Sequence, residues 1–330
     1  MKAIQIVDLS GPDTALREAD LPEPEASHML TPGSGVLVDV TAAGVSFPEV
    51  LQTRGEYQVK PPVPFVPGSE VAGTVRSAPE GSGLAPGDRV AAFPMLGGFA
   101  EVAVSPEFLT FPLPDELDDR QGAALILNYH TAWFSLVVRG RLTAGETVLV
   151  HGAAGGVGTA SIQVAKGLGA KAIAVVSSDE KERVAREAGA DEVVRSDGAW
   201  REEAKELSGG GVDLVLDPVG GDRFTDSLRS LAEGGRLVVV GFTAGSIPEV
   251  KVNRLLLNNT EVIGAGWGAY VISKPDLNRE IGAELGKLIA SGAVRPLVGA
   301  SFPFSADGAT EALKLIDGRG ATGKVVLDVG

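Results

Sequence analysis

Four glycines carry the chemical spacing in this chain that is easiest to read. They lie in Val148-Leu149-Val150-His151-Gly152-Ala153-Ala154-Gly155-Gly156-Val157-Gly158, after an apolar run that reads as a buried strand and before a stretch of helical period. Small residues across Gly152, Ala153, Ala154, Gly155, Gly156, Val157 and Gly158 let the backbone turn tightly and come close to a pyrophosphate. The N-terminus of the following helix meets the ligand's charge. Against the pattern G-x-G-x-x-G the first position is Ala153, with Gly155 and Gly158 intact. A glycine loop alone is weak; strand, loop, helix and second strand in register predict a dinucleotide site. The predicted helix turns Val157, Ala160, Ser161, Val164 and Leu168 toward the sheet.

The end of the second strand selects the dinucleotide. A site for a free ribose 2′-hydroxyl places a carboxylate there, whereas this chain reads Ala174-Val175-Val176-Ser177-Ser178. Ser177 and Ser178 leave room for a 2′-phosphate, Lys181 lies one helical turn on, and Arg195 follows the next strand. NADPH is therefore favoured over NADH. Ordinary surface charge is the competing account of Lys181 and Arg195, and Asp179 is expected to cap a helix beginning at Glu180.

Other chemistry is excluded by composition. The chain has no cysteine and three histidines (His28, His130, His151), so disulfides, thiolate catalysis and cysteine-ligated zinc are impossible and no metal cluster is indicated. A net charge of −14 argues against nucleic acid and anionic membranes as partners. The first eight residues, Met1 to Asp8, read as a strand rather than a signal peptide, and no apolar run is long enough to span a bilayer, so a cytoplasmic location is expected.

The elements that must hold these residues fall into two patterns. Up to about residue 121, short apolar or alternating runs such as Val36 to Val40, Glu70 to Val75 and Arg89 to Phe93 are separated by Gly and Pro clusters, predicting a β-rich region. A mostly apolar helix is expected from Arg120 to Val138. Beyond it, strands at 146–151, 171–177, 191–194, 212–216, 236–240 and 261–264 alternate with helices. That alternation predicts an α/β fold with a doubly wound parallel sheet of the Rossmann kind. The tail holds helices at 276–290 and 306–316 and a last strand at 324–329, and packs back on the N-terminal region. The expected domains are 1–126 and 266–330 as one discontinuous domain, and 127–265 as the cofactor domain.

Several stretches resemble the zinc-independent quinone oxidoreductases of the medium-chain dehydrogenase/reductase superfamily. They are Ala42 to Val50, Val66 to Gly73, Gly97 to Glu101, Val148 to Gly158, Asp217 to Gly221 and Thr322 to Val326. The resemblance implies a GroES-like fold for the discontinuous catalytic domain. Zinc enzymes of the superfamily carry Cys where this chain has Ser46 and His where it has Ser69, and serine replaces neither ligand. Metal-free hydride transfer to an activated acceptor, a quinone or a conjugated carbonyl, is what remains.

By the same resemblance Thr131 lies near the nicotinamide, and Ser46 takes a position, usually Asn, that contacts cofactor and substrate. Gly241, Phe242 and residues 253–256 border the cofactor, and Lys324 touches it from the last strand. Tyr57 borders the acceptor as a proton donor or as an aromatic wall. His130 and His151 are expected as packed structural residues and Asp217 as a turn cap. A homodimer joined along residues 251–266 is implied as well. An NADPH-dependent enone or enoyl-thioester reductase and an NADPH-binding protein without turnover stay open as alternatives.

Overall fold

The computed structural model describes residues 1–330. The chain forms two compact units, one of Met1–Leu127, Ile272–Gly282 and Pro296–Gly330, the other of Asn128–Val271 and Ala283–Arg295.

The first unit is built on a mostly antiparallel seven-stranded sheet. Its order is Val298–Pro303, Lys324–Asp328, Val36–Val45, Glu70–Ser77, Arg89–Ala92 and Thr110–Pro112, with Val102–Ser105 paired to Val36–Val45. Val36–Val45 alternates buried and half-buried positions along its first half and is buried continuously from Ala42 to Val45. A half-solvated strand thus becomes a core strand where it reaches the site. Ile4, Ile6, Val38, Val45, Val71, Phe99 and Leu327 fill the core, and the helix Ala306–Asp317 closes it with Ala309, Ala312 and Leu313. The sequence reading has no strand at Val298–Pro303. This strand pairs in parallel with Lys324–Asp328 and is nowhere fully buried, so it lacks an apolar signature.

In the second unit six parallel strands take the order Glu192–Arg195, Lys171–Val176, Thr147–Val150, Val212–Asp217, Leu231–Val239, Glu261–Gly264. Numbered along the chain this is 3-2-1-4-5-6, the doubly wound order, and it reverses beside Thr147–Val150. The four residues of that strand are all buried, as expected of a strand covered on both faces. Residues 283–295 join this unit through Gln163, whose side chain bonds both the N–H and the C=O of Arg295 at 2.8 Å.

Two expectations need correction. The helix Gly156–Gly167 is buried on all sides from Gly158 to Ala165, because Tyr129 and the 283–295 segment cover the face opposite the sheet. The single helix expected from Arg120 to Val138 is a broken series, Asp119–Gly122, Ile126–His130, Thr131–Trp133 and Phe134–Arg139, with wide π-type turns in the second and fourth pieces. One cause is visible: the N–H of Leu127 donates to Glu70 Oε2 at 2.9 Å and so leaves the helical ladder. No helix is long and apolar enough to cross a membrane.

Candidate functional site

In the second unit the loop after Thr147–Val150 delivers the chain into the helix Gly156–Gly167. Gly152 has φ +58°, the left-handed region, and makes the turn. Gly158 serves contact: a Cβ there would lie 2.2 Å from Gly152 O and 2.7 Å from Ala153 Cα, both backbone atoms. Ala153 and Ala154 are buried beneath the loop. Gly155 caps the helix without a side chain, and the first amide of the helical ladder to find an acceptor is that of Thr159, on Gly155 O at 2.9 Å. The N–H groups of Gly156, Val157 and Gly158 therefore lie at the positive end of a twelve-residue helix with no acceptor from the chain. This cradle fits an anionic diphosphate.

The structure also gathers the residues beyond the second strand. Ser178, not Asp179, is the N-cap of the helix Asp179–Glu187, its hydroxyl accepting from the N–H of Lys181 at 3.3 Å. Asp179 is the first helical residue and accepts from Arg195 at 2.5 Å. Arg195 also donates to Ser177 O at 3.2 Å, and Lys181 Nζ donates to Ser177 Oγ at 3.4 Å. Ser177, Ser178, Lys181 and Arg195 thus lie together, with the Arg195 charge met by Asp179. Thr131 is buried and opens the short helix Thr131–Trp133. Gly241 and the partly exposed Phe242 follow the fifth strand of the sheet, Leu231–Val239.

His130 and His151 are buried structural residues. Burial holds His130 down to about 3, and its ring meets Trp267 edge-on. Burial takes His151 to about 4, against the opposing pull of the Asp217 carboxylate, and its Nε2 lies 2.8 Å from Ser227 Oγ. Asp217 Oδ1 accepts from the N–H groups of Val219 and Gly220, both at 2.9 Å, and so caps the turn.

The first unit brings together residues far apart in sequence. Antiparallel pairing of Val325 with Val45 and Val326 with Gly44 sets Lys324 opposite Ser46. The Lys324 ammonium donates to Ser46 Oγ at 2.6 Å and forms a buried ion pair with Glu70. Gly44 makes space for that pair, since a Cβ there would lie 2.6 Å from Glu70 Cγ and 2.8 Å from Lys324 Cε. Glu49 is equally buried: its Oε1 accepts from Ser69 N at 3.0 Å and Ser69 Oγ at 2.6 Å, its Oε2 from Ser46 N at 2.9 Å. Burial raises the Glu49 carboxyl above its ordinary range, with Ser69 and Lys324 opposing. Tyr57 is half-buried, and burial, then the nearby Glu49 charge, raise its phenol too. Ser46 remains half-exposed.

Sequence reasoning gave Lys324 to the cofactor and assigned no role to Glu49 or Glu70. Two signals were present: Ser46-x-x-Glu49 is a capping box, and Glu70 is a charge leading an apolar strand.

The fold and these sites define a two-unit dinucleotide-dependent reductase with a GroES-like partner to its Rossmann unit. The profile described as Zinc-binding dehydrogenase matches residues 156–281, and that of the Alcohol dehydrogenase GroES-like domain matches 32–115. The quinone oxidoreductase of Rattus norvegicus is 36% identical over 334 residues, covering 99% of this chain and 97% of its own. A crystal structure of a probable oxidoreductase from Mycobacterium abscessus is 48% identical with a TM-score of 0.88, over 100% of this chain and 99% of that one. The Thermus thermophilus quinone oxidoreductase, solved alone and in complex with NADPH, is 36% identical over 100% of both chains, TM-score 0.82. The chain belongs to the quinone oxidoreductase family of the medium-chain dehydrogenase/reductase superfamily.

Proposed function

We propose that this protein transfers a hydride from NADPH to a quinone-type acceptor without a metal. The observation that carries the reading is the glycine cradle with its three acceptor-free amides, Gly156 to Gly158, in a chain whose relatives are quinone oxidoreductases, one of them solved with NADPH. Bound NADPH supplies a hydride. Gly152 to Gly158 hold its diphosphate, while Ser177, Ser178, Lys181 and Arg195 select the 2′-phosphate through charge-assisted bonds. Thr131, Gly241 and Phe242 flank the nicotinamide half, and Lys324 is the remaining residue assigned to the cofactor by resemblance. Ser46 and Tyr57 belong to the acceptor site, Tyr57 held in its protonated, hydrogen-bond-donating form by burial and the Glu49 charge.

The donor set does not suit zinc. Ser46 accepts from an ammonium and Ser69 is committed to Glu49, so neither hydroxyl offers what a cysteine or histidine ligand would. A quinone needs no Lewis acid, because it accepts hydride once positioned. The net charge of −14 favours small-molecule rather than nucleic-acid or anionic-membrane partners, and a cytoplasmic location is part of this proposal. We also assign a homodimer: Glu261–Gly264 is an edge strand, and Leu256 and Leu257 beside it are 77% and 76% exposed.

The test is oxidation of NADPH and NADH by the purified protein in EDTA with phenanthrenequinone, benzoquinone, a simple enone and crotonyl-CoA. EDTA-insensitive quinone reduction favouring NADPH is expected. Turnover of the enone or thioester alone moves the assignment to alkene reduction, and tight NADPH binding without any turnover leaves a cofactor-binding protein.

A further inference from the structure

The buried charges of the first unit have a use beyond stability. Glu49 and Glu70 are fully buried and Lys324 nearly so, and desolvating three ionisable groups is costly unless geometry compensates. Lys324 satisfies Glu70, yet its ammonium also reaches Ser46 Oγ at 2.6 Å. Ser46 is the half-exposed member of this set, the one residue through which the buried positive charge can reach solvent. The ammonium has only protons to give, so Ser46 Oγ accepts from it and keeps its own O–H free to point outward.

We propose that Lys324, fixed by Glu70, acts through Ser46 as the device that stabilises and then protonates the oxyanion formed on the acceptor. This rests on reading Ser46 as part of the acceptor site. Lys324 is a positioning residue here, since it touches the acceptor only through Ser46. The hydride brings two electrons and one proton's worth of hydrogen to the quinone, NADPH becoming NADP⁺ and the quinone a hydroquinone monoanion. Ser46 Oγ gives its proton to that anion's oxygen, Lys324 gives one of its three to Ser46, and after the product leaves a solvent proton returns to the lysine through Ser46. One hydroquinone leaves and one solvent proton has been consumed. Glu49 and Tyr57 are the other titratable groups near this point. The Glu49 carboxyl is taken up by three hydrogen bonds from Ser46 and Ser69, and the Tyr57 phenol is raised.

The experiment uses 4-nitrophenol, a chromophoric stand-in for a hydroquinone anion, bound to the NADP⁺-loaded protein. Wild type is expected to bind the phenolate about tenfold or more tightly than the phenol, seen as a fall of about one unit in the pH at which the bound dye turns yellow. Lys324→Met with Glu70→Gln removes both buried charges at nearly constant volume. It is expected to fold and, at saturating NADP⁺, to lose the phenolate preference; Ser46→Ala, which leaves Lys324 in place, should lose it as well. In turnover at saturating NADPH, the double variant should lose about a hundredfold in kcat, and the loss should grow as the quinone becomes a poorer electron acceptor. Phenolate preference kept by the double variant overturns the proposal, as does its absence from wild type. A preference lost by the double variant but kept by Ser46→Ala leaves Lys324 to the cofactor and overturns it too. Wild type that prefers phenolate but turns over no quinone overturns the functional reading and leaves this one standing.

Discussion

The two units place charge differently at their candidate sites. The first buries full charges and pairs them: Glu70 with Lys324, and Glu49 against Ser69 and Ser46. The second also buries charge, with Arg236 against Glu146 and Asp217 over its turn, but its candidate site is a helix N-terminus left without an acceptor, and burial lowers its two histidines. A site that must stabilise charge developing during a reaction benefits from fixed charges held in low dielectric. A site that binds an already charged ligand is better left with unsatisfied donors.

The largest effect should come from breaking the pairing in the first unit. Lys324→Met alone leaves Glu70 buried without a counterion, and we expect a loss of about 3–5 kcal/mol in urea unfolding. Adding Glu70→Gln should return most of it. If the single and double variants are equally unstable, the lysine stem and not the ion pair is what matters.

Acid should act most on the second unit, which holds two of the three buried histidines; His28 of the first unit is lowered by burial as well. Both histidines of the second unit have folded values below the ordinary 6.5, so the unfolded chain binds more protons than the folded one between those values and pH 6.5. Their stabilisation is complete above 6.5 and is lost as pH falls, by about 1.4 kcal/mol per pH unit for each. Unfolding midpoints measured at pH 7, 6 and 5 should show that slope, and His151→Gln should halve it. The chain's three tryptophans, Trp133, Trp200 and Trp267, all lie in this unit, so their fluorescence reports on it.

Smaller changes sharpen the cofactor side. Gly158→Ala forces a methyl into the backbone of Gly152 and Ala153. A cost of about 1–3 kcal/mol is expected, with a matching loss of dinucleotide affinity in calorimetric titration. Lys181→Ala should weaken NADPH about tenfold and leave NADH nearly unchanged. Equal weakening of both would remove Lys181 from the 2′-phosphate.

Local pattern carried much of this molecule. Alternating apolar runs and helical stretches gave the parallel sheet, and the glycine spacing gave the cradle, because turns, strand burial and helix starts depend on neighbours a few residues away. The N-cap at Ser178 rather than Asp179 is a one-residue matter of that kind: Ser178 keeps an extended backbone and accepts from the Lys181 N–H. Lys324, Ser46, Glu49 and Glu70 are different. Their types were visible, and a capping box hinted at Glu49, but the chain separates Lys324 from Ser46 by 278 positions. Only the antiparallel register of Val325 on Val45 and the absent side chain of Gly44 decide that they meet. Strand registry and close packing are collective properties of the folded sheet, and no local run of residues encodes them.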